Sequence, residues 1–232
     1  MNELSIEEGG FLLINKPLRW TSFDVVKRLR NISRIKKIGH AGTLDPLATG
    51  MLIVCYGKYT KRIEGIQSQK KVYTGTFVIG KTTPSFDLET EVDGIYPTEH
   101  ITPEFLEEKV NLFRGDIKQL PPQHSAVKVN GKRAYEHARK GEAVELKIRD
   151  AHISKYEIDA TNFPEISFEI HCSKGTYIRS LARDLGIALG SGAHMSNLVR
   201  TSIGDYTTEN AVNMEDIKET EDFFKFAQQF AD

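Results

Sequence analysis

Cysteine is nearly absent from this 232-residue chain: Cys55 and Cys172 are the only two, and they stand in unlike contexts. That excludes a disulfide framework and the paired spacing of a structural zinc site, and it fits a reducing compartment with no bound metal. Apolar runs of membrane-spanning length are missing as well. The opening stretch Met1–Glu8 is acidic and lacks the hydrophobic core of a signal peptide, so the expected location is the cytoplasm. Repeats and low-complexity tracts are absent. What remains is a length that can bury a substantial core as a single domain over 1–232.

The net charge is only −1, which by itself gives no pull toward nucleic acid. The distribution does. From Asp24 to Lys71 eleven Lys and Arg stand against three acids, and from Leu120 to Arg149 seven stand against three. The last stretch, 205–232, carries eight acids and two lysines. Basic segments gathered on one face attract phosphates, whereas the acidic end lies elsewhere.

Periodicity supplies a coarse map. Phe11–Ile14 reads as a strand. Thr21 opens a helix with Asp24 as its capping-box acid, and Phe23, Val26 and Leu29 form the apolar stripe. Met51–Cys55 is a short, partly β-branched run that reads as a buried strand, and 70–80 as another. Thr102-Pro103 opens a second helix ending near Gly115. Asn130-Gly131 marks a hairpin after Ala126–Val129. Glu165–Cys172 alternates like a strand. A helix follows from Thr176, with Ile178, Leu181, Leu185 and Leu189 on one face, and an amphipathic acidic helix covers 215–230. Strands and helices in irregular order around a hairpin favour the α+β class with a mixed sheet.

One loop concentrates the chemical interest: Gly39-His40-Ala41-Gly42-Thr43-Leu44-Asp45-Pro46-Leu47-Ala48-Thr49-Gly50-Met51-Leu52. Gly39 and Gly42 allow a tight turn and close approach to a ligand, and Pro46 holds Asp45 extended. A single acid on a stiff loop beside a core strand suits a nucleophile. Read from spacing alone, the same Asp-Pro pair is a turn initiator. His171 beside Cys172 is a poor thiol–base pair, because neighbours on a strand face opposite ways.

The loop resembles the signature of the bacterial tRNA pseudouridine-55 synthases, and Cys172-Ser173-Lys174-Gly175-Thr176-Tyr177-Ile178-Arg179 resembles the same family's second signature. The likeness runs from Asn15-Lys16-Pro17 to Leu198-Val199-Arg200. It implies the pseudouridine synthase fold, a mixed and mostly antiparallel sheet flanked by helices and loops around a central RNA-binding cleft. It implies isomerisation of one uridine in the T arm of tRNA, with base flipping, no cofactor and no metal, by a monomer. It makes Asp45 the catalytic aspartate, acting as nucleophile or as base toward the sugar. His40 would lie near the target base, Tyr73 would stack on it, Tyr177 and Leu198 would line its pocket, and Arg179 would partner Asp45. An always-charged arginine suits that last role, since a partly buried carboxylate otherwise keeps its proton.

The basic segment 120–150, with Lys128, Lys132, Arg133, Arg139, Lys140, Tyr135 and His137, corresponds to an insertion that folds over the T loop in the family and is expected to be the most mobile part of the free chain. Two departures stand out. Arg19 occupies a position where the family usually has glycine, which implies either a different backbone conformation in that turn or an arginine contact to RNA. The acidic end is too short for the PUA-type RNA-binding domain of many relatives. The competing readings are a non-catalytic RNA-binding or tRNA-folding module on the same scaffold and an unrelated hydrolase using Asp45 with His40 or His171. The second has no metal-ligand cluster or nucleophile elbow to support it.

Overall fold

The computed structural model describes residues 8–229 apart from 126, 130 and 139. In chain order the elements are β1 (Gly10–Lys16), α1 (Ser22–Ser33), β2 (Ile38–His40), β3 (Thr49–Tyr56), α2 (Ile63–Ser68), β4 (Lys71–Ile79), β5 (Lys81–Thr82), β6 (Gly94–Ile95), α3 (Pro103–Asn111) and β7 (Gly115–Gln119). There follow β8 (Lys128–Val129), β9 (Lys132–Arg133), α4 (Ala134–Ala138), β10 (Arg149–Asp159), β11 (Glu165–Cys172), α5 (Ile178–Ala188), β12 (Ala193–Ile203), β13 (Tyr206–Thr207), β14 (Val212–Asn213) and α6 (Thr220–Phe226). They form two compact units: 8–73 with 198–229, and 74–197. The chain leaves the first unit within β4 and returns to it within β12. None of the described helices is long and apolar enough to cross a membrane.

In the first unit β1 and β3 pair antiparallel over seven residues, while β14 lies parallel to β1 and β12 parallel to β3. Alternation puts Leu12, Ile14, Leu52 and Val54 on one face, against Val25, Val26 and Leu29 of α1 and Phe223 of α6. Phe11, Leu13, Met51, Ile53 and Cys55 fill the opposite face with Ala41, Ile66 and Ile203. Both faces are covered, which is why β3 reads as an unbroken apolar run. Burial of the Cys55 thiol pushes its pKa up to about 12, so it is inert packing.

In the second unit β10 pairs antiparallel with both β7 and β11, and Phe77 of β4 meets Phe168 of β11 with ring centroids 4.3 Å apart. Ile178, Leu181, Leu185 and Leu189 are all buried, as their spacing predicts. The mixed, mostly antiparallel α+β architecture is the expected one.

Several local expectations need correction. The capping box at Thr21 and Asp24 forms, but Phe23 is 59% exposed; the buried stripe of α1 is Ser22, Val25, Val26, Leu29 and Ser33. α3 stops at Asn111, and Gly115 already begins β7. α5 begins at Ile178 with Tyr177 as its N-cap residue, not at Thr176. The acidic end is two short pieces, a 3₁₀ turn at Met214–Asp216 and α6, because Asp222 accepts the backbone N–H groups of Lys218 and Glu219 and starts a fresh helix there. Phe230, and with it the end of the expected helix, lies outside the described residues.

Candidate active site

Asp45 lies half-buried in the loop between β2 and β3 of the first unit. Its own carbonyl accepts the Ala48 N–H at 3.1 Å, closing a turn across Pro46 and Leu47, so the turn-initiating reading of Asp-Pro is correct in itself. The rest of the loop is held by side chains from distant parts of the chain. Arg200, 1% exposed, donates from Nε to the Met51 carbonyl (2.8 Å), from Nη1 to Thr43 (3.2 Å) and from Nη2 to Gly42 (3.2 Å). Ser22 Oγ accepts the Leu44 N–H at 2.9 Å and donates to the Leu44 carbonyl at 3.2 Å. Lys16 is fully buried, and its ammonium donates to the carbonyls of Trp20 (2.6 Å), Pro17 (2.9 Å) and Pro46 (3.4 Å). The Arg19 N–H reaches the same Pro46 carbonyl at 2.7 Å.

Every backbone carbonyl from Gly42 to Pro46 thus has an identified partner, and two of the donors are buried cations. Gly50 makes this possible: at φ 99° it brings β3 so close to β12 that a Cβ there would lie 2.4 Å from the Arg200 carbonyl. Desolvation pulls the Lys16 pKa down to about 8, and Arg200 pulls the same way, while the Asp45 carboxylate opposes both. Sequence reasoning missed Lys16, Ser22 and Arg200 in this role. Arg19 has φ 68°, the left-handed conformation that glycine favours, so this arginine sits in a turn that a glycine would also fit. Half-buried His40 ends β2, and Tyr73 and Leu198 are buried on β4 and β12, all in this unit.

Tyr177 and Arg179 belong to the second unit. The Gln119 side chain, itself buried, clamps the Tyr177 backbone from both sides, accepting its N–H at 2.8 Å and donating to its carbonyl at 3.0 Å. This fixes the start of α5 and so the position of Arg179. That residue is buried and not part of a solvated face: it donates to the carbonyls of His124 (2.8 Å) and Ser85 (3.2 Å) and lies 3.5 Å from the buried carboxylate of Asp87. Phe86, between Ser85 and Asp87, has φ 63°, an outlier for a bulky residue. The strain directs consecutive residues at one arginine, and it is held by the Met195 N–H on the Phe86 carbonyl (2.9 Å) and by Arg183 over the Phe86 ring. Asp87 was not anticipated; the signal was an acid set among Thr82, Thr83 and Ser85. His171 pairs with Glu169 at 2.9 Å while Cys172 is buried, as the alternation argument required.

The basic segment joins β7 to β10, and Gln119 pairs with Arg149, so 120–148 is an excursion from one hairpin. The Leu120 carbonyl accepts from Ser180 Oγ (2.8 Å) and Arg183 (3.1 Å), and Gln123 ties the far side at Val144. β8 and β9 pair antiparallel, Lys128 with Arg133 and Val129 with Lys132, while Asn130, Ala126 and Arg139 lie outside the described residues. Among the described residues no group of three or more His, Cys, Asp or Glu could hold a metal ion.

Residues 30–178 match the pattern of the TruB family pseudouridylate synthase (N terminal domain), and 179–228 that of the tRNA pseudouridylate synthase B C-terminal domain. The chain is 54% identical to the tRNA pseudouridine synthase B of Flavobacterium johnsoniae over 89% of its own length and 93% of that protein. It is 56% identical to the protein of the same name from Parabacteroides distasonis, over 90% and 92% of the two. Among solved structures it resembles one described as a Cbf5-Nop10-Gar1 complex, with a TM-score of 0.72 and 26% identity, covering 98% of this chain and 61% of the other. An H/ACA RNP bound to a substrate RNA shares the fold at a TM-score of 0.70 and 24% identity, and this chain spans about 60% of its length. The chain belongs to the TruB family of pseudouridylate synthases.

Proposed function

We propose that this member of the TruB family converts one uridine in the T loop of tRNA, position 55, to pseudouridine, as a cytoplasmic monomer without a cofactor. The reaction breaks the bond from base nitrogen to sugar, turns the base and rejoins it through carbon 5. The proton of carbon 5 is released and the nitrogen gains one, so atoms balance without an added reactant. The reacting atoms are stacked in the folded RNA, and extruding the base costs a few kcal/mol that contacts in the pocket offset. Tyr73 supplies a stacking face, worth about 1–3 kcal/mol. Tyr177 and Leu198 line the pocket, His40 lies near the base, and Asp45 is the carboxylate that starts the cleavage, with Arg179 keeping it ionised.

The observation that carries this reading is the holding of the Asp45 loop. Two buried cations and a buried serine fix its backbone and leave the carboxylate half-exposed. A module that only bound RNA would gain nothing from fixing an acid in a basic region. The test is tritium release from 5-tritiated uridine in a T-arm stem-loop. The unmodified chain is expected to release it and Asp45→Asn to release none while binding the RNA with near-normal affinity. Release by the Asn variant would remove Asp45 from the chemistry, and release by neither, from full-length tRNA as well, would leave an RNA-binding protein.

A further inference from the structure

The turn 17–23 has a composition that its folding role does not explain. Arg19 adopts φ 68° with its side chain exposed. A left-handed conformation is strained for any residue with a Cβ, and glycine would relieve that strain. Leu18 and Phe23 are 54% and 59% exposed, in a segment whose neighbours Ser22, Val25 and Val26 are buried. Strain and exposed apolar side chains together mark a surface kept for contact.

Its position is fixed against the catalytic loop. The Arg19 N–H and the Lys16 ammonium bond to the Pro46 carbonyl, and Ser22 holds Leu44 by both backbone groups. Anything held by Arg19 or Phe23 is therefore placed a set distance from Asp45. The surroundings are basic: residues 16–37 carry eight Lys and Arg against Asp24 alone, and that carboxylate is turned back onto Thr21 in the capping box. A guanidinium, an exposed aromatic ring and a positive field fit one kind of partner, a phosphodiester strand with an unstacked base.

We propose that Arg19 and Phe23 form a docking ledge for the RNA strand beside the target uridine, with Arg19 taking a phosphate and Phe23 the face of a neighbouring base. This rests on the proposed function, since the strand is the one that carries the flipped uridine. The ledge sets the register of the strand, so its loss falls on binding and not on the chemical step.

Arg19→Gly distinguishes the ledge from a merely structural turn, because the two effects have opposite signs. Relief of strain, less the extra freedom that glycine gives the unfolded chain, raises the melting temperature by about 2–4 °C. Loss of one phosphate contact weakens stem-loop binding and lowers the slope of log affinity against log salt by about 0.7–0.9. Phe23→Ala leaves the melting temperature within a degree or two and raises KM about five- to hundredfold, the range for one stacked base, while Phe23→Trp restores it. Trp20 is the only tryptophan and directly follows Arg19, so quenching of its fluorescence by the stem-loop reads occupancy independently of turnover. An unchanged salt slope and KM in both variants would overturn the ledge. If the unmodified chain releases no tritium, the functional reading fails on its own, and the salt slopes and the quenching still decide whether RNA docks here.

Discussion

Arg200→Met tests how the Asp45 loop is held. The guanidinium makes three hydrogen bonds to carbonyls in a site that is 1% exposed. Bonds from a charged donor are worth roughly 1.5–3 kcal/mol each, and here their loss leaves the buried Met51 carbonyl and the part-buried carbonyls of Thr43 and Gly42 without that partner. Against this stands the several kcal/mol spent in burying the cation, which methionine does not require. The difference is a net loss of about 2–4 kcal/mol, and in a chain of this size each kcal/mol lowers the melting temperature by about 2–4 °C. The catalytic consequence is larger than the thermal one. Gly42 and Thr43 lose their anchor three and two residues from Asp45, and a displacement near 1 Å is enough to cost on the order of a hundredfold in rate. The assay is single-turnover tritium release at 20 °C, well below the expected transition, with thermal melts of the same samples. Arg200→Lys retains the charge but places a point donor where a planar fork spans three acceptors, so it recovers only part of the rate. A methionine variant that melts early yet turns over at the full rate would refute the reasoning and reduce Arg200 to core support.

Three further outcomes follow from the same geometry. Lys16 titrates near pH 8 in the folded chain and at its ordinary 10.5 when unfolded, so the unfolded state binds more protons between those values and this residue's contribution to stability rises with pH across that window. Activity moves the opposite way: as the ammonium loses its proton the tie to Pro46 weakens, giving an alkaline limb near pH 8 in a pH–rate profile, and Lys16→Gln, neutral throughout, is slow and shows no limb. Arg179→Ala leaves the Asp87 carboxylate buried without its cation, which costs about 3–5 kcal/mol, and it lowers kcat far more than affinity; equal losses in both would indicate a plain phosphate contact. Hydrogen exchange along 120–149 is expected to slow on adding a T-arm stem-loop while the β3 amides stay unchanged, and no slowing would remove this segment from the RNA grip.

What was legible in the sequence is what local period and local capping decide. The unbroken run of β3, the bounds of β11, the apolar face of α5 and the Thr21–Asp24 box each depend on residues a few positions apart. The stripe of α1 was misjudged because hydropathy ranks Phe23 above Ser22, whereas a contact 22 residues away, from Ser22 to Leu44, turns the helix so that the serine is inside. The same limit hid Arg200, Lys16 and Asp87. Hydropathy assigns cations and acids to the surface, and only the fold reveals that Arg200 meets carbonyls 149 to 158 residues earlier in the chain.

Arg19 joins the two cases. From the sequence, an arginine at a glycine position suggests a rebuilt turn, because the left-handed region is costly for any residue with a Cβ. Arg19 takes that conformation nonetheless, since the turn's backbone is determined from outside: the N–H must meet the Pro46 carbonyl, the Trp20 carbonyl must meet Lys16, and Ser22 must meet Leu44. Those ties outweigh the local preference of one residue. The chain accepts the strain at the point where its side chain faces solvent beside the Asp45 loop, where glycine would relieve the strain but offer no side chain to the RNA strand proposed to dock there.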